Sequence, residues 1–177
     1  MEFYTIGHST RSFEELSELL KRHGIKVLVD VRAFPSSARN PQFAKEVLER
    51  RLLEEGIEYV WLGRELGGYR REGLGARSPN TGWKSEGFRN YADYMMTSQF
   101  EVGIKKLLEL AGSKRLAYMC AERFYWRCHR RLISDYLVAK GHRVVHIVDS
   151  TRAIEHELPG FARVSDGMLT YPPREPF

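Results

Sequence analysis

Hydrophobic positions along this chain follow two rhythms: short apolar runs rich in β-branched residues, and longer stretches with helical spacing. "FYTIG" (3–7), "KVLVDVR" (26–32), "IEYVWLG" (57–63), "RLAYMCA" (115–121) and "HRVVHIVD" (142–149) are the short runs. The near-continuous β-branched character of the second is that of a strand covered on both faces, and all five read as strands. Between the first two, Ser12 opens a helix with Glu15 three residues on, a capping box. Phe13, Leu16, Leu19 and Leu20 then recur at helical spacing, and Gly24 ends the helix. A loop holding Pro35 and Pro41 leads to a charged helix at about 43–55, a helix or helix pair covers about 88–111, and "CHRRLISDYLVAKG" (128–141) reads as another.

Strands alternating with helices predict a single α/β domain with a largely parallel five-stranded sheet and helices on both faces. The pattern does not fix the strand order, and a partial barrel is the rival arrangement. From Ser150 onward Pro159, Gly160, Pro172, Pro173 and Pro176 punctuate the chain, so residues 150–177 are expected to form an irregular C-terminal arm.

Composition refines this picture. The 177 residues suffice for one hydrophobic core, and 42% hydrophobic with 29% charged residues is typical of a soluble globular chain. No apolar run reaches the roughly 18 residues of a membrane helix, and "MEFYTIGHSTRS" lacks the features of a signal peptide. A cytoplasmic location and no membrane partner are therefore expected. The net charge of +5 comes mainly from arginine, 20 against 8 lysines. Arginine suits phosphates, carboxylates and base edges. With only three Asn and two Gln, the same bias also fits a thermophilic source.

In parallel sheets ligands bind beyond the carboxyl ends of the strands. There the sequence places His8 and Ser9 after the first strand, Asp30, Arg32, Ser36 and Ser37 at and after the second, and Arg64 after the third. Asp30 interrupts an apolar run and, if buried, needs a partner; Arg32 lies two residues on, on the same face.

"MCAERFYWRCHRR" (119–131) has the densest chemistry, with Cys120, Glu122, Arg127, Cys128, His129 and Arg130 within it. Cys128 and His129 lie four residues before Leu132 and Ile133, on the face of the helix that turns inward. A helix start beside His and Arg can lower a thiol pKa, making Cys128 a candidate nucleophile, and it also forms an anion site. Cys120, inside the strand, is read as core packing, although two thiols eight positions apart around such a turn can approach each other. His129 with Glu122 or Asp30 is the candidate acid–base pair. Arg131 is expected to pair with Asp135 four residues on, leaving Arg130 to a ligand. The spacing of Cys120 and Arg127 does not fit a phosphatase phosphate loop. That of Cys120, Cys128, His129 and His8 matches no zinc pattern, so neither metal nor cofactor is expected. The segment 63–89 carries seven of the fifteen glycines and six basic residues, with Tyr69, Trp83 and Phe88 interleaved, and is read as a loop closing over a phosphate-bearing substrate.

"YTIGHS", "LVDVRAFPSS", "LGRELGG", "MCAERFYWRCHRR" and "HRVVHI", in this order, resemble the prokaryotic family known as domain of unknown function 488, over about residues 1–150. The matching residues are His8, Ser9, Asp30, Arg32, Pro35, Ser37, Gly67, Gly68, Cys120, Glu122, Cys128, His129 and Arg130. The insert between the cysteines, Arg-Phe-Tyr-Trp-Arg, departs from the acidic or turn-like segment common in relatives. The resemblance implies an α/β domain with a shared polar site and supplies no reaction.

Three functions fit these residues. The leading one is an enzyme acting on a nucleic acid or nucleotide-like anion by hydrolysis or related bond cleavage. Glu122, His129 and Asp30 would move protons, and His8, Ser9, Arg32, Ser37, Arg64, Gly67, Gly68, Arg127 and Arg130 would hold the substrate. The second is a noncatalytic nucleic-acid-binding module. The third is a thiol-dependent redox or sulfur-transfer enzyme using Cys120 or Cys128.

Overall fold

The computed structural model describes residues 1–176. Strands β1 (Glu2–Gly7), β2 (Val27–Asp30), β3 (Glu58–Trp61), β4 (Leu116–Cys120), β5 (Arg143–Ile147) and β6 (Ala153–Glu155) form one sheet in the order β3-β2-β4-β1-β5-β6. The first five are parallel, and β6 runs antiparallel to β5.

The two-residue period of a strand sends alternate side chains to opposite faces, and both faces are covered. Phe3, Val27, Val29, Leu116 and Tyr118 join one core with residues of α5 (Ser98–Ser113) and α6 (Arg130–Ala139), including Phe100, Leu107, Leu132 and Leu137. Tyr4, Ile6, Leu28, Ala117 and Met119 join the other with Leu16 and Leu20 of α1 (Phe13–Arg22) and Leu48 and Leu52 of α2 (Lys45–Glu54). The expected capping box is present, the Glu15 amide donating to Ser12 Oγ at 3.1 Å. The helical pattern at 88–111 resolves into α4 (Glu86–Tyr94) and α5.

Two segments are more ordered than their composition implies. The C-terminal arm supplies β6 to the sheet and forms a hairpin from β7 (Arg163–Ser165) and β8 (Met168–Thr170). Beyond it Tyr171 is buried, its hydroxyl donating to Asp135 Oδ2 at 2.7 Å. The segment 63–89 begins with the short helix α3 (Gly63–Leu66) and is pinned from inside: Ser78 Oγ and Asn80 Nδ2 both donate to Asp93 Oδ1, at 2.5 and 2.8 Å. Trp83 is buried against Phe88, Phe161 and Tyr171. The stretch from Ser78 to Trp83 is thus anchored, while residues 71–77 are exposed.

Candidate functional site

The carboxyl ends of β1, β2 and β4 lie side by side, Gly7 opposite Cys120 and Asp30 opposite Met119. Backbone pairing continues past the strands: the His8 amide donates to the Cys120 carbonyl, and Val31 to Met119, both at 2.9 Å. Gly7 is needed for this approach, since a Cβ there would fall 1.9 Å from the Glu122 carbonyl oxygen.

A cavity of about 500 Å³ opens beyond the ends of β2 and β4. Arg32, Glu122, Arg127, Cys120, Cys128 and His129 line it, with Phe34, Tyr69, Phe88 and Tyr91 as aromatic walls. Phe34 and Tyr69 are largely exposed and meet edge to face, with ring centroids 5.4 Å apart. Tyr69 holds a left-handed backbone, φ 61°, a strained conformation for a bulky residue.

The two thiols meet at the base of this cavity. Cys120 Sγ and Cys128 Sγ are 2.7 Å apart, and both side chains are buried. His129 Nε2 lies 3.0 Å from the Val31 carbonyl, which can only accept, so Nε2 carries the proton. The free Nδ1 faces Cys128 Sγ at 3.4 Å, and burial depresses the imidazole pKa, so it stands as a neutral proton acceptor beside a thiol. Gly68 packs on this ring; a Cβ there would come 3.1 Å from Nδ1.

The first turn of α6 explains how a buried thiol can ionise. The Arg130 amide donates to Cys128 Sγ at 3.4 Å, and the Arg130 guanidinium donates through Nε to Cys120 Sγ at 3.0 Å. Burial opposes ionisation of Cys128. The Cys120 thiol, the Arg130 charge and the Arg130 amide outweigh it and bring Cys128 down to about 7. Burial and the bond to Cys128 push Cys120 well up. One thiol is thereby poised to lose its proton and the other to keep it.

Arg130 is committed inside the protein. Its Nη1 donates to Thr5 Oγ1 and Nη2 to the carbonyls of Glu122 and Arg123, and its side chain is 1% exposed. It therefore positions the thiols instead of reaching a ligand. Asp135 does not take Arg131, which lies over the Trp83 ring; it accepts from His156 Nε2 at 2.6 Å and from Tyr171. Followed from Arg130, donors point one way: Thr5 Oγ1 to His146 Nδ1 at 2.6 Å, His146 Nε2 to His156 Nδ1 at 2.9 Å, and His156 to Asp135. This buried chain joins a cation to a carboxylate through two imidazoles, of which burial holds His146 well below its ordinary pKa.

The remaining residues divide clearly. Asp30 is fully buried, accepting from Arg32 Nε and Nη2 at 2.9 and 2.7 Å and from the Tyr59 hydroxyl at 2.5 Å. That leaves it orienting Arg32, with no open path to a substrate proton. His8 accepts at Nε2 from Arg32 Nη1 at 3.2 Å and donates from Nδ1 to the Ser9 carbonyl at 2.9 Å; burial lowers its pKa to about 4. Ser9 holds a tight turn with φ 50°. Ser37 accepts from the Asn40 amide, and its neighbour Ser36 lines the cavity instead. Arg64 is exposed away from the cavity lining, Gly67 is buried against Gly63 and Ala33, and Gly68 lines the cavity. Arg127 is exposed at the lining. The Glu122 carboxylate accepts weakly from the Phe124 amide at 3.5 Å and, among the described residues, makes no hydrogen bond to His129. No group of three or more His, Cys, Asp or Glu among the described residues has the arrangement to hold a metal ion.

Sequence reading missed Phe34, Gly87 and Tyr91 as lining residues, and the buried pair His146 and His156. Two histidines within an apolar strand and the segment after it are the only signal the sequence carried for the latter.

Fold and site define an α/β domain with helices on both faces of its sheet and a paired-thiol cavity at the carboxyl ends of the parallel strands. The chain belongs to the family described as domain of unknown function DUF488, whose family model matches residues 12–137. No curated protein and no solved structure matched it. No helix among the described residues is long and apolar enough to cross a membrane.

Proposed function

We propose that this protein is a thiol-dependent enzyme that cleaves a bond in a phosphate-bearing, nucleotide-like substrate, with Cys128 as nucleophile and His129 as its base. The observation that carries this reading is the position of Cys128 Sγ, at the cavity base, 3.4 Å from both a neutral His129 Nδ1 and the Arg130 amide. His129 takes the Cys128 proton while sulfur bonds to the electrophilic centre. The proton then passes to the departing group. Water, deprotonated by the same Nδ1, releases the product and restores the thiol. Arg127 supplies positive charge, and Phe34 and Tyr69 supply faces on which a planar base can stack.

A second reading has Glu122 activate water without a covalent intermediate; its place in the cavity lining favours it. Mononucleotides and modified single-stranded oligonucleotides, screened for cleavage, separate the two. Turnover lost in Cys128→Ser and His129→Gln with binding retained supports the thiol route. Turnover that survives Cys128→Ser but is lost in Glu122→Gln overturns it.

A further inference from the structure

Cys120 has no part in the chemistry proposed above, yet its sulfur stands 2.7 Å from the nucleophile. Ordinary core packing does not account for that. A disulfide needs a sulfur separation of about 2.05 Å, so closing the bond takes a movement of well under 1 Å. The two residues sit at the end of β4 and just before α6, joined by a short turn through Tyr125–Arg127. Both cysteines belong to the lining of the same cavity, which opens beside a pair that is otherwise buried.

We propose that Cys120 and Cys128 form a dithiol–disulfide couple that exchanges with low-molecular-weight disulfides entering the cavity, Cys128 attacking and Cys120 resolving. This rests on the reading of Cys128 as a nucleophile and assigns its neighbour a second, redox activity. The Cys128 thiolate attacks one sulfur of the incoming disulfide, forming a mixed disulfide and expelling one thiolate. The Cys120 sulfur then attacks Cys128 Sγ, the Cys120–Cys128 bond forms, and the second thiol leaves with the Cys120 proton. The protein loses two electrons and two protons, and the incoming disulfide becomes two thiols.

The surroundings favour this order. The Arg130 amide and the positive end of α6 stabilise Cys128 as the thiolate. The Arg130 guanidinium is already bonded to Cys120 Sγ. Once Cys128 is capped as a mixed disulfide, it no longer competes as an anion for that charge, and Cys120 becomes the better attacking sulfur. The Thr5–His146–His156–Asp135 chain holds the guanidinium in place through both steps.

The test uses the full chain, reduced, desalted and treated with oxidised glutathione at pH 7.5, with intact mass read before and after reduction. The expected product is wild-type protein lighter by two hydrogens and free of glutathione, while Cys120→Ser retains one glutathione on Cys128. Wild type that instead accumulates glutathione on Cys128 overturns the couple and leaves Cys128 a nucleophile. Protein unmodified at both cysteines overturns the couple and the nucleophile together. Because the wild-type measurement decides, a folding defect in the variant does not blunt the test.

Discussion

His129 Nε2 donates to the carbonyl of Val31 across 3.0 Å, and this one bond fixes which ring nitrogen faces Cys128. A backbone carbonyl beyond β2 thus sets the tautomer of a side chain preceding α6. Under these conditions Cys128 should be alkylated by iodoacetamide with an inflection near pH 7. Arg130→Met should move that inflection up toward the ordinary thiol range, with Arg130→Lys intermediate. An inflection above 8.5 in the wild type would contradict the role assigned to the α6 terminus.

Gly68→Ala tests the packing of that ring. A Cβ 3.1 Å from Nδ1 must displace the imidazole by a few tenths of an ångström. The expected outcome is a stability loss of about 1 kcal/mol, read by urea denaturation, with a larger proportional loss in Cys128 alkylation rate at pH 7. Unchanged alkylation would show that Nδ1 does not assist the thiol.

Asp30→Asn leaves the buried Arg32 guanidinium with a neutral partner. Breaking a buried ion pair from one side costs about 3–5 kcal/mol, and the 2.7 Å contact here is almost fully buried. Tyr59→Phe removes one hydrogen bond to the same carboxylate, and about 1–2 kcal/mol is expected. Equilibrium unfolding should rank the two in that order.

Acid should destabilise the fold through its neutral histidines. Burial lowers His8 to about 4 and His146 to about 2, whereas an unfolded histidine titrates near 6.5. Below that value the unfolded chain binds protons that the folded chain refuses. Stability is therefore full above about pH 6.5 and falls with decreasing pH, by up to about 1.4 kcal/mol per unit for each group. The contribution of His8 is exhausted near pH 4, and that of His146 continues to fall. Thermal melts from pH 7.5 to 4.5 should show Tm level above about pH 6.5 and declining below it, and a profile flat down to pH 4.5 would contradict both assignments.

Much of the fold was legible because apolar periodicity is a local signal. The five parallel strands, the capping box at Ser12 and the helix after Cys128 all follow from neighbours in sequence. β6 and the β7–β8 hairpin were not, because their formation depends on partners elsewhere: β5 for the first, and for Tyr171 beyond the second a carboxylate 36 positions earlier. At the site, helical spacing placed Cys128 and His129 within the helix. Instead α6 begins at Arg130 and Cys128 is extended backbone before it, so their inward position comes from the turn and not from a helix face. The internal commitment of Arg130 could not be read, since its acceptors are a threonine 125 positions away and carbonyls in a turn without periodicity. Charge alone does not distinguish an arginine that binds ligand from one that fills a polar core.

Strand β1 is the first element of the chain, yet it stands between β4 and β5 at the centre of the sheet. Its two ladders pair residues separated by more than 100 positions, as in Tyr4 with Ala117 and Phe3 with Val144. During synthesis the amino-terminal segment therefore emerges long before either neighbour exists. Contacts of such long range slow folding, and unpaired strand edges invite aggregation while they wait. The paired-thiol corner, built where β4 meets β1, therefore cannot close until a segment more than 100 positions further along has been made.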